Sequence, residues 1–277
     1  MPELPEVETI RTALQDGERG GLSVLERTIK GSRLLWERTL AAPSRRVFQR
    51  RIRGQLIRDI RRRGKYLLFQ LSADTLVVHL RMSGDLRTES EGAPLPAHCR
   101  LVLQLDGGLR LCFTDARKFG RIWLTAEPTE IVGGLGLEPL EPGFTARLLQ
   151  RLLENQRRRI KPLLLDQAFI AGLGNIYTDE ALNLARVHPL RSANTLSPAE
   201  TASLCRSIRH VLRKGIRYGG TSFDWAYRGG DYQRYLRVYH RASLPCRRCR
   251  APIERTVVAQ RGTYFCPVCQ GAPHDGR

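Results

Sequence analysis

Four cysteines, Cys246, Cys249, Cys266 and Cys269, stand as two C-x2-C pairs separated by sixteen residues. Each pair can place two thiolates on one knuckle of backbone, and two knuckles complete a four-sulfur tetrahedral zinc shell with no open position. Such a site is structural rather than catalytic. Two disulfides or a redox pair are the alternatives; a reducing cytoplasm disfavours the first and the doubled spacing the second. At the other end of the chain Pro2 follows Met1. Proline is small enough for the initiator methionine to be removed, which leaves a secondary amine beside Glu3 and Glu6. An α-amino group with pKa near 7.7 to 8.0 is roughly a seventh unprotonated at neutral pH, against roughly four in ten thousand for a lysine. The terminal amine is therefore the readier nucleophile. The neighbouring carboxylates suit either proton transfer at that amine or compensation of a helix N-terminus.

These groups must be positioned by folded elements. Val7, Ile10 and Leu14 recur at helical spacing behind Pro5 and predict a short amphipathic helix over 5–14. Strand character follows near 54–60, 65–71, 75–81, 100–106 and 109–113, the last two joined by Asp106, Gly107 and Gly108. An antiparallel sandwich or barrel is implied. The Pro, Gly and Glu-rich segment 125–143 breaks the pattern and reads as a linker. Helices are expected near 145–154, 162–170 and 175–184, and from Ser197, where Glu200 completes a capping box. Gly172 and Gly174 form a turn whose backbone amides can approach a ligand closely. A β hairpin is expected over 256–265, between the cysteine knuckles. Cys99, Cys112 and Cys205 read as small core hydrophobes.

The 277 residues carry 46 basic and 27 acidic side chains, a formal charge of +19. With 42% hydrophobic residues the chain can build proper cores, so disordered and fibrous classes are excluded. No stretch is long and apolar enough to span a membrane, and the start is acidic where a signal peptide is basic, so a soluble cytoplasmic protein is expected. Forty-one of the basic residues are arginine and five are lysine; the run from Arg45 to Lys65 holds ten basic residues and one acid, Asp59. A polyanion, most simply a nucleic-acid backbone, is the natural partner.

The segment Met1 to Thr9 resembles the N-terminus of bacterial formamidopyrimidine-DNA glycosylases. Gly64 to Leu68 resembles that family's phosphate-binding lysine segment. Arg81 to Gly84 and Asp115 to Gly120 resemble its duplex-probing loops, and Gly172 to Tyr177 its helix-two-turns-helix signature. Gln260 and Arg261 before Cys266 complete a colinear set, and the opening residues place the chain on the purine-repair side rather than with endonuclease VIII.

The resemblance implies an α+β fold: an N-terminal β-sandwich with flanking helices over 1–130, a linker over 131–144, a helix-two-turns-helix domain over 145–240 and a zinc-finger β-hairpin over 241–277, with DNA clasped by the two domains. It implies a bifunctional glycosylase and abasic-site lyase. The Pro2 amine attacks C1′ of a damaged nucleotide, the base leaves, and the resulting iminium acidifies the C2′ proton for β,δ-elimination. Glu3 is implied as the acid that assists opening of the deoxyribose ring, and Glu6 orients the site. Lys65 and Arg261 are implied as catalytic cations that, with Lys161 and Asn175, hold phosphates around the lesion. Met82, Arg117 and Phe119 fill the void left by the flipped nucleotide, and His98 is a further DNA contact. One structural zinc ion, double-stranded DNA bearing oxidised bases or abasic sites, a monomeric state and no membrane partner follow. Phe223, Trp225 and Tyr227 fall in the family's lesion-capping loop, 219–235. A non-catalytic damage-binding relative, a pyrimidine-specific endonuclease VIII-like enzyme and a zinc-ribbon transcription factor are the rivals; the last leaves the N-terminal half unexplained.

Overall fold

A computed structural model describes residues 1–17, 22–222 and 229–271. They divide into two compact units, Met1–Gly134 with Gly219–Gly230, and Leu135–Tyr218 with Asp231–Arg277. The return of 219–230 to the first unit is a feature that the linear domain reading, which keeps 145–240 together, lacks.

In the first unit α1 spans Leu4–Asp16. Glu3 is its N-cap, Glu3 and Glu6 form a capping box, and Gly17 ends it in the left-handed conformation. Its buried face carries the expected Val7, Ile10 and Leu14 together with Leu4. The strands are β1 (Ile29–Leu34), β2 (Leu40–Ala42), β3 (Ile57–Arg63), β4 (Tyr66–Leu71), β5 (Thr75–His79), β6 (Gly84–Ser90), β7 (Cys99–Leu105), β8 (Leu109–Asp115) and β9 (Arg121–Thr125). They form a four-stranded sheet, β1-β7-β8-β6, and a five-stranded sheet, β2-β9-β5-β4-β3. Every pairing is antiparallel except β2 with β9. Phe69, Leu76, Val78 and Ile122 from one sheet share a single core with Leu86, Leu101, Leu103, Leu111 and Phe113 from the other, which makes the unit a sandwich.

Two short helices flank the sheets, α2 (Arg45–Ile52) and α3 (Thr129–Val132). The arginine run is thus not a uniform charged face. Phe48 and Ile52, one helical turn apart, bury α2, and Ile57 and Ile60 bury β3. Strand β3 begins three residues later than its pattern suggests, because α2 runs to Ile52 and the chain then turns through Gly54, whose φ is +83°.

The second unit contains α4 (Ala146–Glu154), α5 (Ile160–Leu165), α6 (Asn175–Ala185), α7 (Pro198–Arg217), the hairpin β10 (Glu254–Val258) and β11 (Arg261–Phe265), and α8 (Pro267–Gln270). Ser197 caps α7 and pairs reciprocally with Glu200, and Leu204, Ile208, Val211 and Leu212 form its buried stripe, as their spacing predicts. Helix α5 stops well short of residue 170. Asp166 leaves helical geometry and its carboxylate accepts the Ala168 N–H at 3.0 Å, the local competition that makes Asp a poor helix residue. The segment read as a linker is packed at its far end: Leu137 bridges Ile170, and a Cβ on Gly136 would lie 2.3 Å from the Phe169 carbonyl oxygen.

Candidate active site and metal centre

Pro2, Glu3 and Glu6 lie together at the start of α1, and both carboxylates are buried, at 3% and 2% exposure. The Glu6 carboxylate accepts the Glu3 N–H at 2.9 Å with one oxygen. Its other oxygen accepts the Thr221 N–H at 2.7 Å and the Thr221 hydroxyl at 3.2 Å. Gly220 makes this approach possible: its φ is +79°, and a Cβ there would lie 2.6 Å from Glu6 Oε1. Lys65 is buried beside the β3–β4 turn. Near it lies a residue that no sequence pattern signalled, His79 at the end of β5. Burial, and after it the charges of Arg81 and Lys65, push the His79 pKa down to about 3. The imidazole is therefore neutral, and its Nδ1 accepts the Arg81 N–H at 3.0 Å.

The loops carrying Met82, Arg117 and Phe119 are joined by Ser83 and Asp115. The Ser83 hydroxyl donates to Asp115 Oδ1 and accepts the Arg117 N–H at 3.0 Å. Asp115 also accepts the Arg117 N–H at 3.2 Å and the Gly120 N–H at 2.7 Å. His98 enters the same assembly through its carbonyl, which accepts the Asp115 N–H at 3.0 Å. The tips stay accessible: Met82 is half-buried, His98 and Arg117 are exposed, and Phe119 is 49% exposed with the Arg117 guanidinium 5.2 Å from its ring centre.

In the second unit Lys161 is fully buried. Its ammonium lies 2.6 Å from Asp179 Oδ1 and donates to Thr263 Oγ1 at 2.8 Å and the Gly262 carbonyl at 3.2 Å. Asn175 Nδ2 donates to the same carbonyl at 2.8 Å. Both residues thereby grip the start of strand β11 beside Arg261, which is exposed. The role expected of Lys161, a phosphate contact, meets a side chain already committed to protein partners. Two acids on α6 dock the finger. Asp179 Oδ2 accepts the Tyr264 N–H at 2.9 Å, and Glu180 accepts three consecutive backbone N–H groups, those of Arg237, Val238 and Tyr239, at 2.8 to 3.0 Å. Burial raises both carboxyls above their usual range, against the pull of Lys161 on Asp179 and of the backbone donors on Glu180.

The four cysteine sulfurs lie within 4.8 Å of one another, with Cys246 to Cys269 at 3.9 Å and Cys249 to Cys266 at 3.4 Å. A tetrahedral shell with metal–sulfur bonds of ~2.3 Å separates its sulfurs by about 3.8 Å, so the arrangement fits a bound metal ion. The Arg248 N–H points to Cys246 Sγ and the Cys269 N–H to Cys266 Sγ, each at 3.4 Å, as in a thiolate knuckle. Gln270 ties this centre to α6, accepting from Cys266 N at 2.8 Å and from Asn183 Nδ2 at 2.9 Å. Cys99, Cys112 and Cys205 are buried and form no disulfide, with Cys99 and Cys112 in one small apolar cluster, the packing role expected of them.

Three family models match in order: the formamidopyrimidine-DNA glycosylase N-terminal domain over residues 1–122, the helix-two-turns-helix domain of the same enzymes over 135–226, and a zinc finger found in these glycosylases and in isoleucyl-tRNA synthetase over 243–271. Formamidopyrimidine-DNA glycosylase of Pelotomaculum thermopropionicum is 45% identical across 98% of this chain and 99% of its own. That of Protochlamydia amoebophila is 42% identical over 98% and 99%. This chain belongs to the formamidopyrimidine-DNA glycosylase family. The Lactococcus lactis enzyme, solved with DNA containing an oxidised pyrimidine, superimposes with a TM-score of 0.89 at 36% identity, covering 98% of this chain and all of that one. The same enzyme has been solved with abasic-site DNA and with Fapy-dG DNA at the same TM-score.

Within this glycosylase family fold, the sequence reading missed His79, and it missed Asp179, Glu180 and Thr221, whose backbone and carboxylate partners lie far away along the chain. The aromatics Phe223, Trp225 and Tyr227 lie outside the described residues. Among the described residues no helix is long and apolar enough to cross a membrane.

Proposed function

We propose that this glycosylase excises oxidised purines, 8-oxoguanine and formamidopyrimidines, from duplex DNA and cleaves the strand through an imine on Pro2. After removal of Met1 the Pro2 nitrogen attacks C1′, the glycosidic bond breaks and the base leaves with a proton. Glu3 protonates the ring oxygen as the sugar opens to the iminium. Loss of the C2′ proton then expels the 3′ phosphate, and a second elimination expels the 5′ phosphate. Lys65 and Arg261 hold the phosphates that leave; Asn175 adds an amide contact, and Lys161 acts by fixing the hairpin beside Arg261. Met82, Arg117 and Phe119 take the place of the flipped nucleotide, with His98 as a further contact. The metal of the four-thiolate centre is one structural zinc ion, and the enzyme works as a monomer in the cytoplasm on chromosomal DNA.

The observation that carries this reading is the buried pair Glu3 and Glu6 beside Pro2 at the start of α1. Borohydride trapping on a duplex with one 8-oxoguanine opposite cytosine tests it. A covalent adduct mapped to Pro2 supports the mechanism. Failure to trap with protein shown by mass to lack Met1, on this duplex and on an abasic-site duplex, sinks it. A wider substrate range is favoured by the Lactococcus lactis complex with an oxidised pyrimidine. The same nucleophile serves both lesions, and a substrate panel ranks them.

A further inference from the structure

Lys118 sits between Arg117 and Phe119, yet its own side chain is engaged elsewhere. Its ammonium lies 4.2 Å from the centre of the Trp36 ring, a cation–π contact. Its backbone is left-handed, with φ at +61°, a conformation that side-chain-bearing residues adopt at a cost. Trp36 is in turn fastened to the turn that carries Lys118. The Leu35 and Trp36 N–H groups donate to the Arg100 carbonyl at 2.8 and 3.2 Å, and Arg100 Nε donates to the Asp115 carbonyl at 2.8 Å. The turn 115–120 is thus held at its base by the Asp115 carboxylate and at its apex by an indole whose backbone is tied to the same Asp115 through Arg100.

We propose that Trp36 is a positioning residue for base excision. By seating Lys118 on its ring it presets the turn so that Arg117 and Phe119 enter the duplex without first having to be ordered. Filling the gap left by a flipped nucleotide must offset unstacking, and a turn ordered in advance spares the entropy that a loose one loses on binding. Discrimination of the base opposite the lesion gains for the same reason, since a guanidinium held at one angle reads one hydrogen-bonding edge. The proposal rests on the reading that Arg117 and Phe119 enter the duplex.

The test uses the full-length enzyme with Trp36→Leu, Lys118→Met, their double variant, and the conservative Trp36→Phe and Lys118→Arg. Single-turnover excision of 8-oxoguanine is measured opposite cytosine and opposite adenine, together with cleavage of a single-stranded abasic oligonucleotide that has no duplex to probe. The expected result is a fall of about two- to fivefold in the ratio of duplex to single-strand rate for each of the two disruptive variants, the size of one solvent-exposed cation–π contact. Selectivity for cytosine over adenine should narrow alongside. The double variant should be no slower than the slower single one, and Phe and Arg should restore most of the loss. Wild-type ratios in Trp36→Leu, additive losses in the double variant, or a Lys118→Met defect with Trp36→Leu unaffected would each overturn the proposal; the last would mean that Lys118 acts on DNA directly. Arg117→Ala and Phe119→Ala separate the two levels. If both excise normally, the underlying reading fails; if both are impaired while the Trp36 and Lys118 variants are normal, this proposal alone fails.

Discussion

Glu6 joins two segments that are more than two hundred residues apart: one carboxylate oxygen accepts the Glu3 N–H at 2.9 Å and the other the Thr221 N–H at 2.7 Å. The start of α1 and the entry to the 219–230 segment are therefore fixed by one side chain. Glu6→Gln turns one acceptor into a donor facing an N–H, and an unsatisfied buried pair of this kind costs about 1–3 kcal/mol. The variant should melt at lower temperature and excise base in single turnover far more slowly than wild type, while incising a preformed abasic site with a smaller loss. Equal losses on the two substrates would mean that Glu6 acts only on the helix start.

His79 sets an acid limb of stability. Its folded pKa, about 3, lies below the ordinary 6.5, so the folded state binds fewer protons than the unfolded one throughout that interval. The His79 contribution to stability is complete above pH 6.5 and is lost as the pH drops toward 3, by about 1.4 kcal/mol per pH unit. His188, its pKa lowered by burial, adds in the same direction. Glu8 and Glu200 have folded pKa values lowered from 4.5, so their stabilisation is lost only at and below that value. Asp179 and Glu180, whose carboxyls burial raises, take up protons in the folded state and work against the histidines between pH 6.5 and 4.5, so only the difference between wild type and a His79 variant isolates the imidazole. Denaturant unfolding at three pH values in that window should show a shallower slope for His79→Gln than for wild type; an unchanged slope would assign the titration elsewhere.

Lys161 and Asp179 are both fully shielded from solvent, with side-chain exposures of 0%. Removing one member leaves the other as an uncompensated buried charge, which costs about 3–5 kcal/mol, whereas replacing both by apolar residues can be nearly neutral. Lys161→Met should destabilise strongly, and Lys161→Met with Asp179→Leu should recover much of the loss. The double variant has also lost the Asp179 contact to Tyr264 and the Lys161 contact to Gly262. Its DNA affinity should therefore stay below wild type although its folding is restored. Wild-type affinity in the double variant would remove Lys161 from any part in DNA binding.

How much of this was legible in the sequence depended on how local the signal is. The α7 capping box, the hairpin and the cysteine knuckles rest on contacts a few residues apart and emerge where their spacing puts them. Strands β1 and β6 were invisible because their sequences, IKGSRL and GDLRTES, are polar and their burial does not alternate cleanly. The acids of α6 carry no sequence signal, since nothing near Asp179 and Glu180 in the chain announces the backbone donors at Tyr264 and at 237–239 that take them out of water. Lys161, which the resemblance marks as a phosphate contact, also has protein partners that its neighbours in the chain do not announce, since Asp179 lies one element further on. The family resemblance located Lys161 without revealing what it touches and did not mark Asp179 or Glu180.

The metal centre yields a last prediction, because the finger has two independent attachments. Asp179, Glu180 and Asn183 hold it to α6 through protein contacts alone, whereas the knuckles at Cys246 and Cys266 depend on four thiolates converging. Cys249→Ser removes one thiolate from the shell, and structural zinc of this kind contributes directly to folding. Bound zinc should fall well below one ion per chain and the knuckles should loosen, while the two-sheet unit, whose core shares no residue with the finger cluster, keeps its stability. DNA affinity should drop by about tenfold or more at fixed salt, the equivalent of ~1.4 kcal/mol, as Arg261 loses its rigid support. Metal analysis and a binding titration on the same sample decide the matter. Full affinity in metal-free protein would show that the α6 contacts alone hold Arg261 in place.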